Sequence, residues 1–306
     1  MIQRLLPFGT LIALFIGLSI ASPNFLTQTN ISSVIRQTAV INIMALGMTM
    51  IIVAGGIDLS VGSILAFGGL VGTMALERGY PIPVGIAVGI LGGMFWGFVN
   101  GLLTTRLKIN PFIVTLGTLG IVRGITLIIS NGLPVHQIPQ GFSYLGEGTL
   151  GGVPFVLWIL LICAAAVHIV LEHTKLGRYA FAIGSNPDAA YYAGIPVAFH
   201  TTAVYAIGGM LTGLAGMIEA SRLMTGQPTA GQGYELQAIA AVVIGGGSLR
   251  GGEGTVMGTL VGAFIMGLLA NGSDLLGISP YLQQAIIGAV IILAVTVDEV
   301  RKRKAT

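Results

Sequence analysis

The chain has 306 residues, of which 54% are hydrophobic and only 8% are charged. A soluble domain carries about 25% charged residues, so this composition excludes a soluble globular protein. The net charge of +3 comes without a basic patch interleaved with aromatic residues, which argues against nucleic acid as a partner. Long apolar segments recur throughout the chain, so we predict an all-α polytopic membrane protein in contact with membrane lipid.

Apolar segments separated by polar or glycine-rich breaks predict about ten transmembrane helices in chain order. They are expected near residues 6–22, 33–53, 61–76, 83–103, 111–130, 154–171, 200–220, 235–246, 255–273 and 281–297. The eighth is shorter than the ~20 residues that cross a bilayer. We expect it to be broken or tilted, or to continue as irregular backbone buried in protein.

The first segment has two interpretations. Arg4 precedes an apolar stretch that ends in Ser19-Ile20-Ala21, and this arrangement resembles a secretory signal peptide with its cleavage site. In a chain this hydrophobic, a retained first helix is the simpler interpretation.

Basic residues in the short loops predict the orientation, because cytoplasmic loops carry an excess of Lys and Arg. A cytoplasmic N-terminus and ten spans place these residues inside: Arg4, Arg106, Lys108, Lys175, Arg178, Arg250, Arg301, Lys302, Arg303 and Lys304. The outside receives Arg36, Arg78 and Arg222. Both termini are therefore expected in the cytoplasm. Residues 1–306 are expected to form a single transmembrane domain, with an external loop at 131–153 and a cytoplasmic loop at 172–199.

Glycines recur at helical spacing within two of the predicted spans. Gly85, Gly89, Gly93, Gly97 and Gly101 follow one another every four residues on the fourth span. On a helix this spacing makes one smooth ridge that a second helix can approach closely. The ninth span repeats the pattern at Gly254, Gly258 and Gly262, so we expect close helix packing there as well.

The residues needed for several kinds of catalysis are missing. A phosphate-binding P-loop needs Gly-Lys followed by Ser or Thr, and none of the four lysines is followed by either residue. Motifs of intramembrane serine, aspartate and zinc proteases are absent, and the four histidines have no ligand spacing. Cys163 is expected to be a buried thiol. We therefore predict no catalytic residues, no metal site and no cofactor bound by this chain.

The predicted cytoplasmic loop contains the signals of a short helix. Asn186 is a good N-cap, Pro187 suits the first helical position, and Asp188 favours the helix dipole. Gly194 is placed to end the helix in a left-handed conformation, and Pro196 prevents it from restarting. A helix of about two turns is marginal alone in water, so it must be held by packing. An ordinary structured loop and a docking site for a partner protein are both consistent with this pattern.

Asp188-Ala189-Ala190-x-x-x-Gly194 resembles the coupling-helix signature of importer permeases of the ATP-binding-cassette superfamily. Asp replaces Glu, and the Ile-x-Leu-Pro of maltose-type permeases does not follow. The chain is more similar to the branch that holds permeases for ribose, other monosaccharides and branched-chain amino acids. The resemblance runs in order along nearly the whole chain, from about Ser22 to Asp298. The stretches that carry it are Gly47–Ser63, Arg123-Gly124, Asn131–Val135, Gln227–Leu236 and Ala238–Gly252.

The resemblance implies a division of labour between subunits. A cytoplasmic ATP-binding-cassette subunit would hold ATP and magnesium, and a periplasmic or lipoprotein sugar-binding protein would deliver the substrate. The permease would work as a homodimer or with a paralogous permease, in the inner or plasma membrane of a bacterium. The residues that would couple to the ATPase are Gly184, Asn186, Pro187, Asp188, Ala189, Ala190 and Gly194.

Polar residues at membrane depth are costly and usually functional or paired. Asp58 and Ser60 lie in a Gly-Gly-Ile-Asp-Leu-Ser break, where Asp58 either contributes to a substrate path or caps the third span. Arg123 lies within the fifth span and needs a partner, for which Glu219 is a candidate. Glu219 can instead pair with Arg222, three residues away on the same helix.

A neutral sugar needs weak, scattered hydrogen-bonding groups along its route. We expect a substrate path lined by Asp58, Ser60, Asn110, Thr115, Arg123 and Glu219. The predicted function is import of a monosaccharide, ribose or similar, by alternating access. The alternatives are an ion-coupled secondary transporter of a small polar solute, a permease for branched-chain amino acids, and a membrane enzyme.

Overall fold

The computed structural model describes residues 2–303, and over this range the chain is almost entirely helical. The helices are α1 (Ile2–Ala21), α2 (Gln28–Val53), α3 (Val61–Glu77), α4 (Ile82–Arg106), α5 (Pro111–Ser130), α6 (Tyr144–Glu147), α7 (Phe155–His173), α8 (Lys175–Ser185), α9 (Pro187–Tyr192), α10 (Val197–Leu223), α11 (Tyr234–Ile244), α12 (Val256–Leu275) and α13 (Pro280–Arg303). A short 3-10 helix at Gln140–Ser143 precedes α6. A two-stranded antiparallel hairpin, β1 (Thr149–Leu150) and β2 (Val153–Pro154), follows it.

Each of the ten predicted helices is present as a helix. The fifth matches its predicted bounds, whereas α2 begins at Gln28, five residues before the expected start. The side chain of Thr27 caps that earlier turn by accepting a hydrogen bond from the Asn30 N–H at 3.3 Å. By length and composition, six helices in the described residues are long and apolar enough to cross a membrane: α2, α4, α5, α7, α10 and α12.

The fourth-span glycines form the predicted ridge, and the helix that packs on it is α10. A methyl group added at Gly93 would lie 2.7 Å from the backbone of Gly213, and one at Gly97 would lie 3.0 Å from the backbone of Gly209. The facing helix therefore also presents glycine, and the two backbones are in direct contact. Such close approach is the means by which helices gain packing energy in a membrane.

The second glycine pattern is confirmed on α12, where Gly258 and Gly262 contact α11. A methyl group at Gly262 would lie 2.9 Å from the Ala241 carbonyl carbon, and one at Gly258 would meet the Gly245 carbonyl. Gly254 lies before α12 begins. The short α11 thus packs flat against a full-length neighbour.

Helices α2 and α10 form the interior of the bundle, and α4, α5 and α7 lie on its outside. Almost every residue of α2 from Thr38 to Val53 is buried, and the ring of Tyr205 on α10 is fully enclosed. On the outer helices, large apolar side chains are exposed, among them Leu91, Phe95 and Ile162. This inverted distribution fits a protein whose outer surface faces hydrocarbon.

The connection from α5 to α7 is held down by polar contacts. Arg36 on α2 forms an ion pair with Glu147 at 3.2 Å, and Ser221 on α10 donates to the Phe142 carbonyl at 2.5 Å. The Gly146 N–H in turn donates to the Ser221 hydroxyl at 2.9 Å. This segment, which sequence patterns indicated only as a loop, is therefore a structured cap on one end of the bundle.

Single side chains test two smaller expectations. Cys163 is buried on α7, as predicted. His168 and His173 are five residues apart, about 140° around a helix, which predicts that they do not share a face; this is wrong. Their ring centroids are 5.7 Å apart in an edge-to-face arrangement, and His173 is the last residue of α7.

We expect Gly97→Ala to lower the free energy of unfolding by about 1–3 kcal/mol, because its methyl group would overlap the carbonyl of Tyr205 on α10. The matched control is Gly120→Ala on α5, where a methyl group meets nothing within 4 Å and helix propensity favours alanine by up to about 1 kcal/mol. Unfolding of the purified proteins in detergent measures both effects. Equal stability of the two variants would contradict the ridge contact.

Candidate functional site

The predicted short helix is present as α9, at the positions that the sequence indicates. The side-chain oxygen of Asn186 accepts a hydrogen bond from the Ala189 N–H at 2.9 Å, and Pro187 is the first helical residue. Gly194 has φ of +81°, and its N–H donates to the Tyr191 carbonyl at 3.0 Å. The helix is confirmed as a capped unit that begins and ends by its own local signals.

A second helix in this segment, α8, was not predicted. Thr174 caps it by accepting a hydrogen bond from the Gly177 N–H at 3.4 Å. The sequence offers only a weak signal for α8. Thr174 can serve as its N-cap, but Gly177, three residues later, is a poor helix former. The ring of Tyr179 on α8 packs edge-on against His200 on α10, with centroids 4.7 Å apart. The loop is therefore two helices joined at Asn186.

Aromatic side chains around α9 are left uncovered. Tyr191 is 69% exposed, Tyr192 is 86% exposed and Phe199 is 68% exposed. Ala190, on the opposite side of α9, is buried. A six-residue helix that holds one face against the bundle and presents bare aromatic rings on the other has the form of a docking surface.

The last turn of α8 meets two other segments at their backbones. A methyl group added at Gly184 would lie 2.7 Å from the Gly252 nitrogen and would also meet the Val53 carbonyl at the end of α2. One added at Gly251 would lie 2.9 Å from the Cα atoms of both Gly184 and Gly55. We call the contact of Gly55, Gly184 and Gly251 the glycine junction.

A fully buried polar network lies beside this junction, in the break between α2 and α3. One carboxylate oxygen of Asp58 accepts from the Ser60 N–H at 2.8 Å and from the Ser60 hydroxyl at 2.6 Å. Asn100 on α4 donates to the other oxygen at 3.3 Å and to the Ser60 hydroxyl at 2.8 Å. Ser60, not Asp58, is the residue that precedes the first turn of α3. Asp58 thus organises the turn into α3 and also fastens it to α4.

The carbonyl of Ile57 ties the same break to two more helices. It accepts a hydrogen bond from the Thr115 hydroxyl on α5 at 3.1 Å and from the Tyr205 hydroxyl on α10 at 3.3 Å. The predicted path residue Thr115 is therefore buried, in contact with the same segment as Asp58 and Ser60. Asn110 lies apart from them, exposed at the start of α5, where it caps the helix through the Phe112 N–H at 2.9 Å.

The expected pairing of Arg123 with Glu219 was wrong, and the alternative was right. Glu219 forms an ion pair with Arg222 at 3.0 Å, one turn along α10. Arg123 instead donates to the Pro228 carbonyl at 2.7 Å and to the Gly62 carbonyl at 3.3 Å. Both acceptors are backbone carbonyls, one in the irregular segment before α11 and one in the first turn of α3, which a count of charged residues does not reveal.

Two residues of these sites were not predicted from the sequence: Asn100, in the glycine-rich α4, and Tyr205, in the apolar α10. Glu235 lies in the first turn of α11, where an acidic residue favours the helix dipole. Glu235 lies close enough to Arg123 for their charges to attract. A lone polar residue within an apolar helix was the available signal for Asn100.

Among residues 2–303, no three or more His, Cys, Asp or Glu side chains lie together so that they could hold a metal ion. The polar clusters of these residues are instead hydrogen-bonded to backbone carbonyls and to amide or hydroxyl side chains. Their arrangement can fix the breaks between helices and offer hydrogen-bonding groups inside a membrane.

The chain belongs to the family described as branched-chain amino acid transport system / permease component, which matches residues 30–295. It is accordingly a multi-pass permease of the bacterial inner membrane, as its exposed apolar helices also indicate.

Individual relatives in this family are similar over almost their full length. The ribose import permease protein of Escherichia coli K12 is 44% identical over 94% of this chain and 92% of its own. The ribose import permease protein of Bacillus subtilis 168 is 42% identical, over 99% and 94%. The L-arabinose ABC transporter permease protein of Azospirillum brasilense is 37% identical, over 96% and 86%. No solved structure matches the chain.

Proposed function

We propose that this chain is the transmembrane permease subunit of an ATP-binding-cassette importer that carries a monosaccharide, ribose or a similar sugar, into the cytoplasm. The observation that carries the proposal is α9, a capped helix with exposed aromatic side chains, in a chain 42–44% identical to ribose import permease proteins. The chain is not itself an enzyme in this proposal, because none of its lysines can complete a P-loop.

The partners follow from this division of labour. A cytoplasmic ATP-binding-cassette subunit binds ATP and magnesium and docks on the exposed face of α9. The residues that couple this contact to the permease are Gly184, Asn186, Pro187, Asp188, Ala189, Ala190 and Gly194. A periplasmic or lipoprotein sugar-binding protein docks on the opposite side of the membrane. The permease pairs with a second copy or with a paralogous permease, and this chain binds no cofactor of its own.

The proposed topology has ten spans within one transmembrane permease domain, residues 1–306, with both termini in the cytoplasm. It is supported by the basic residues, of which ten fall inside and three outside when the spans alternate. In this arrangement α9 lies on the cytoplasmic side, within the 172–199 coupling loop, and residues 131–153 lie outside.

This topology predicts opposite labelling of two exposed positions. Cys163 is the single cysteine, so its replacement by alanine gives a background without thiols. Tyr192→Cys should react with a membrane-impermeant thiol reagent only in inverted vesicles, whereas Leu133→Cys should react only in right-side-out vesicles. Both side chains are more than half exposed, so the reagent's access to each cysteine depends on which side of the membrane it faces. The reverse pattern would refute the cytoplasmic placement of α9.

Transport proceeds in this proposal by alternating access. The sugar-loaded binding protein docks outside, ATP binding brings the cytoplasmic subunits together, and α9 transmits that movement to the helical bundle. Hydrolysis of ATP then returns the cytoplasmic subunits and the helical bundle to their starting conformation. Because α9 has only six residues, its shape depends on its caps and on the buried side chain of Ala190.

Ala190→Pro should abolish ATP-driven sugar uptake while the permease remains inserted. Proline removes the Ala190 N–H, which donates to the Asn186 carbonyl at 3.0 Å, and costs a helix about 3 kcal/mol. Ala198→Ser, at an exposed position at the start of α10 and outside the coupling set, keeps that hydrogen bond and serves as the control. Uptake of radiolabelled ribose into vesicles with the partner subunits is measured, with leucine as competitor and an ionophore present.

Normal uptake by the Ala190→Pro variant would contradict the role of α9. Uptake that an ionophore abolishes would favour the ion-coupled alternative, and competition by leucine would favour an amino-acid permease.

The proposed sugar path is lined by Asp58, Ser60, Asn110, Thr115, Arg123 and Glu219. Arg123 supports it best, because its guanidinium has five N–H donors, of which two donate to the Pro228 and Gly62 carbonyls. Its side chain is half-buried within α5, and Glu235 lies nearby as a possible acceptor for sugar hydroxyls. Together they offer donor and acceptor groups to a neutral, hydroxylated solute.

Arg123→Gln should raise the sugar concentration needed for half-maximal uptake by about tenfold or more, since a hydrogen bond to a charged group contributes about 1.5–3 kcal/mol. Arg106→Gln, at the exposed end of α4, is the matched control and should leave uptake unchanged. The concentration dependence of uptake measures both. If substitution of each path residue in turn leaves uptake intact, the path lies elsewhere.

A further inference from the structure

The α8–α9 segment touches the bundle through backbone atoms at the glycine junction. A methyl group at Gly251 would come within 2.9 Å of both Gly184 and Gly55, and one at Gly55 would lie 3.4 Å from the Gly184 Cα. The Gly252 N–H also donates to the Val53 carbonyl at 2.9 Å, which closes the junction over the end of α2. Three segments far apart in sequence are thus in contact without any side chain between them.

Contact of this kind transmits displacement directly. Protein interiors are close-packed and have low compressibility, so a shift of one backbone moves the backbone that it touches. A flexible side chain at the same place would absorb part of the shift by changing rotamer. Gly55 and Gly251 have φ of +81° and +89°, a region that residues with a side chain rarely adopt, so the junction is restricted to glycine at these two positions.

The other end of α9 is built differently. A methyl group at Gly194 would meet nothing within 4 Å, and the neighbouring Tyr192 is 86% exposed. The chain then enters α10 through Pro196. This end of α9 is exposed and leads directly into α10, whereas the Asn186 end is joined to α8, which lies on the glycine junction.

On the far side of the junction, residues 54–60 are fastened to three helices. Asp58 accepts a hydrogen bond from the Asn100 side chain of α4. The Ile57 carbonyl accepts hydrogen bonds from the hydroxyls of Thr115 on α5 and Tyr205 on α10. The distances are 3.3, 3.1 and 3.3 Å, and Asp58 and Thr115 are fully buried. A displacement of Gly55 would therefore act on α4, α5 and α10 together.

We infer that the glycine junction is the contact through which movement of α9 reaches the bundle, and that the Asp58 network receives it. This inference rests on the proposed ATP-driven function of α9. Gly184 is then a positioning residue for coupling: it touches neither ATP nor sugar, and it sets how much helix movement each ATP cycle produces.

Hydrogen exchange of the assembled wild-type complex tests the relay without any substitution. The permease with its ATPase subunit and binding protein is compared with and without ATP, magnesium and vanadate. We expect the exchange rates of residues 184–194 and of residues 54–60 to change together. A change at 184–194 with none at 54–60 would overturn the inference and leave the proposed function standing. No change at 184–194 would instead refute the docking role of α9, and with it this inference.

Gly184→Ala provides the second test. We expect the ATPase subunit to remain bound and active while the sugar transported per ATP falls by about 5- to 150-fold, the range of typical coupling energies. Gly17→Ala on α1, where a methyl group meets nothing within 4 Å, is the control and should keep the wild-type ratio. A merely structural role for Gly184 would lower the amount of folded complex but leave this ratio unchanged, and that result would contradict the relay.

If Gly184→Ala prevents assembly, Tyr205→Phe takes its place, because it keeps the ring and removes only the hydroxyl that donates to the Ile57 carbonyl. The same direction of change in sugar per ATP is expected, with thermal unfolding of the complex measured alongside. An unchanged ratio in a complex that assembles would refute the role of residues 54–60 in the relay.

Discussion

Direct contact between the backbones of α4 and α10 is the interaction on which the rest of the bundle depends. In lipid there is little hydrophobic gain when apolar helices associate, so close packing has to supply the stability. Gly93 and Gly97 on one helix and Gly209 and Gly213 on the other make that approach sterically possible. Helix α10 in turn contacts α2, α3 and α8, so its distance from α4 sets where the polar break after α2 and the α8–α9 segment lie.

Charged side chains inside the bundle are few, and three of them are held by near neighbours. Glu219 is held by Arg222 on its own helix, Asp58 by Ser60 and Asn100, and Arg123 by two carbonyls. An uncompensated charge at membrane depth is expensive, so each of these groups needs such a partner. Asp58 lies in the break between α2 and α3, and Arg123 joins α5 to the start of α3 and to the irregular segment before α11, so these groups also hold neighbouring segments together.

The sequence was sufficient to predict the ten helices, the glycine ridges on α4 and α12, and the caps of α9. Each of these depends on residues close together in the chain: a four-residue glycine period, or Asn186 followed by Pro187. Contacts between segments that lie far apart in the chain could not be predicted from the sequence. Nothing local says that Asn100 meets Asp58 or that Arg123 finds the Pro228 carbonyl, and a pairing of opposite charges led to Glu219 instead. Helix α8 was missed because Gly177 weakens the local helix signal although tertiary packing sustains the helix.

The eleven residues of α11 have a consequence for how the protein is made. A segment this short cannot leave the translocation channel as an independent membrane helix, and the irregular backbone before it would enter lipid with unsatisfied groups. Its partners already exist when it is synthesised, since Arg123 on α5 and Gly62 on α3 precede it in the chain and Arg123 donates to the Pro228 carbonyl. During biosynthesis, α11 therefore has to stay packed against the earlier helices until α12 is made and covers it.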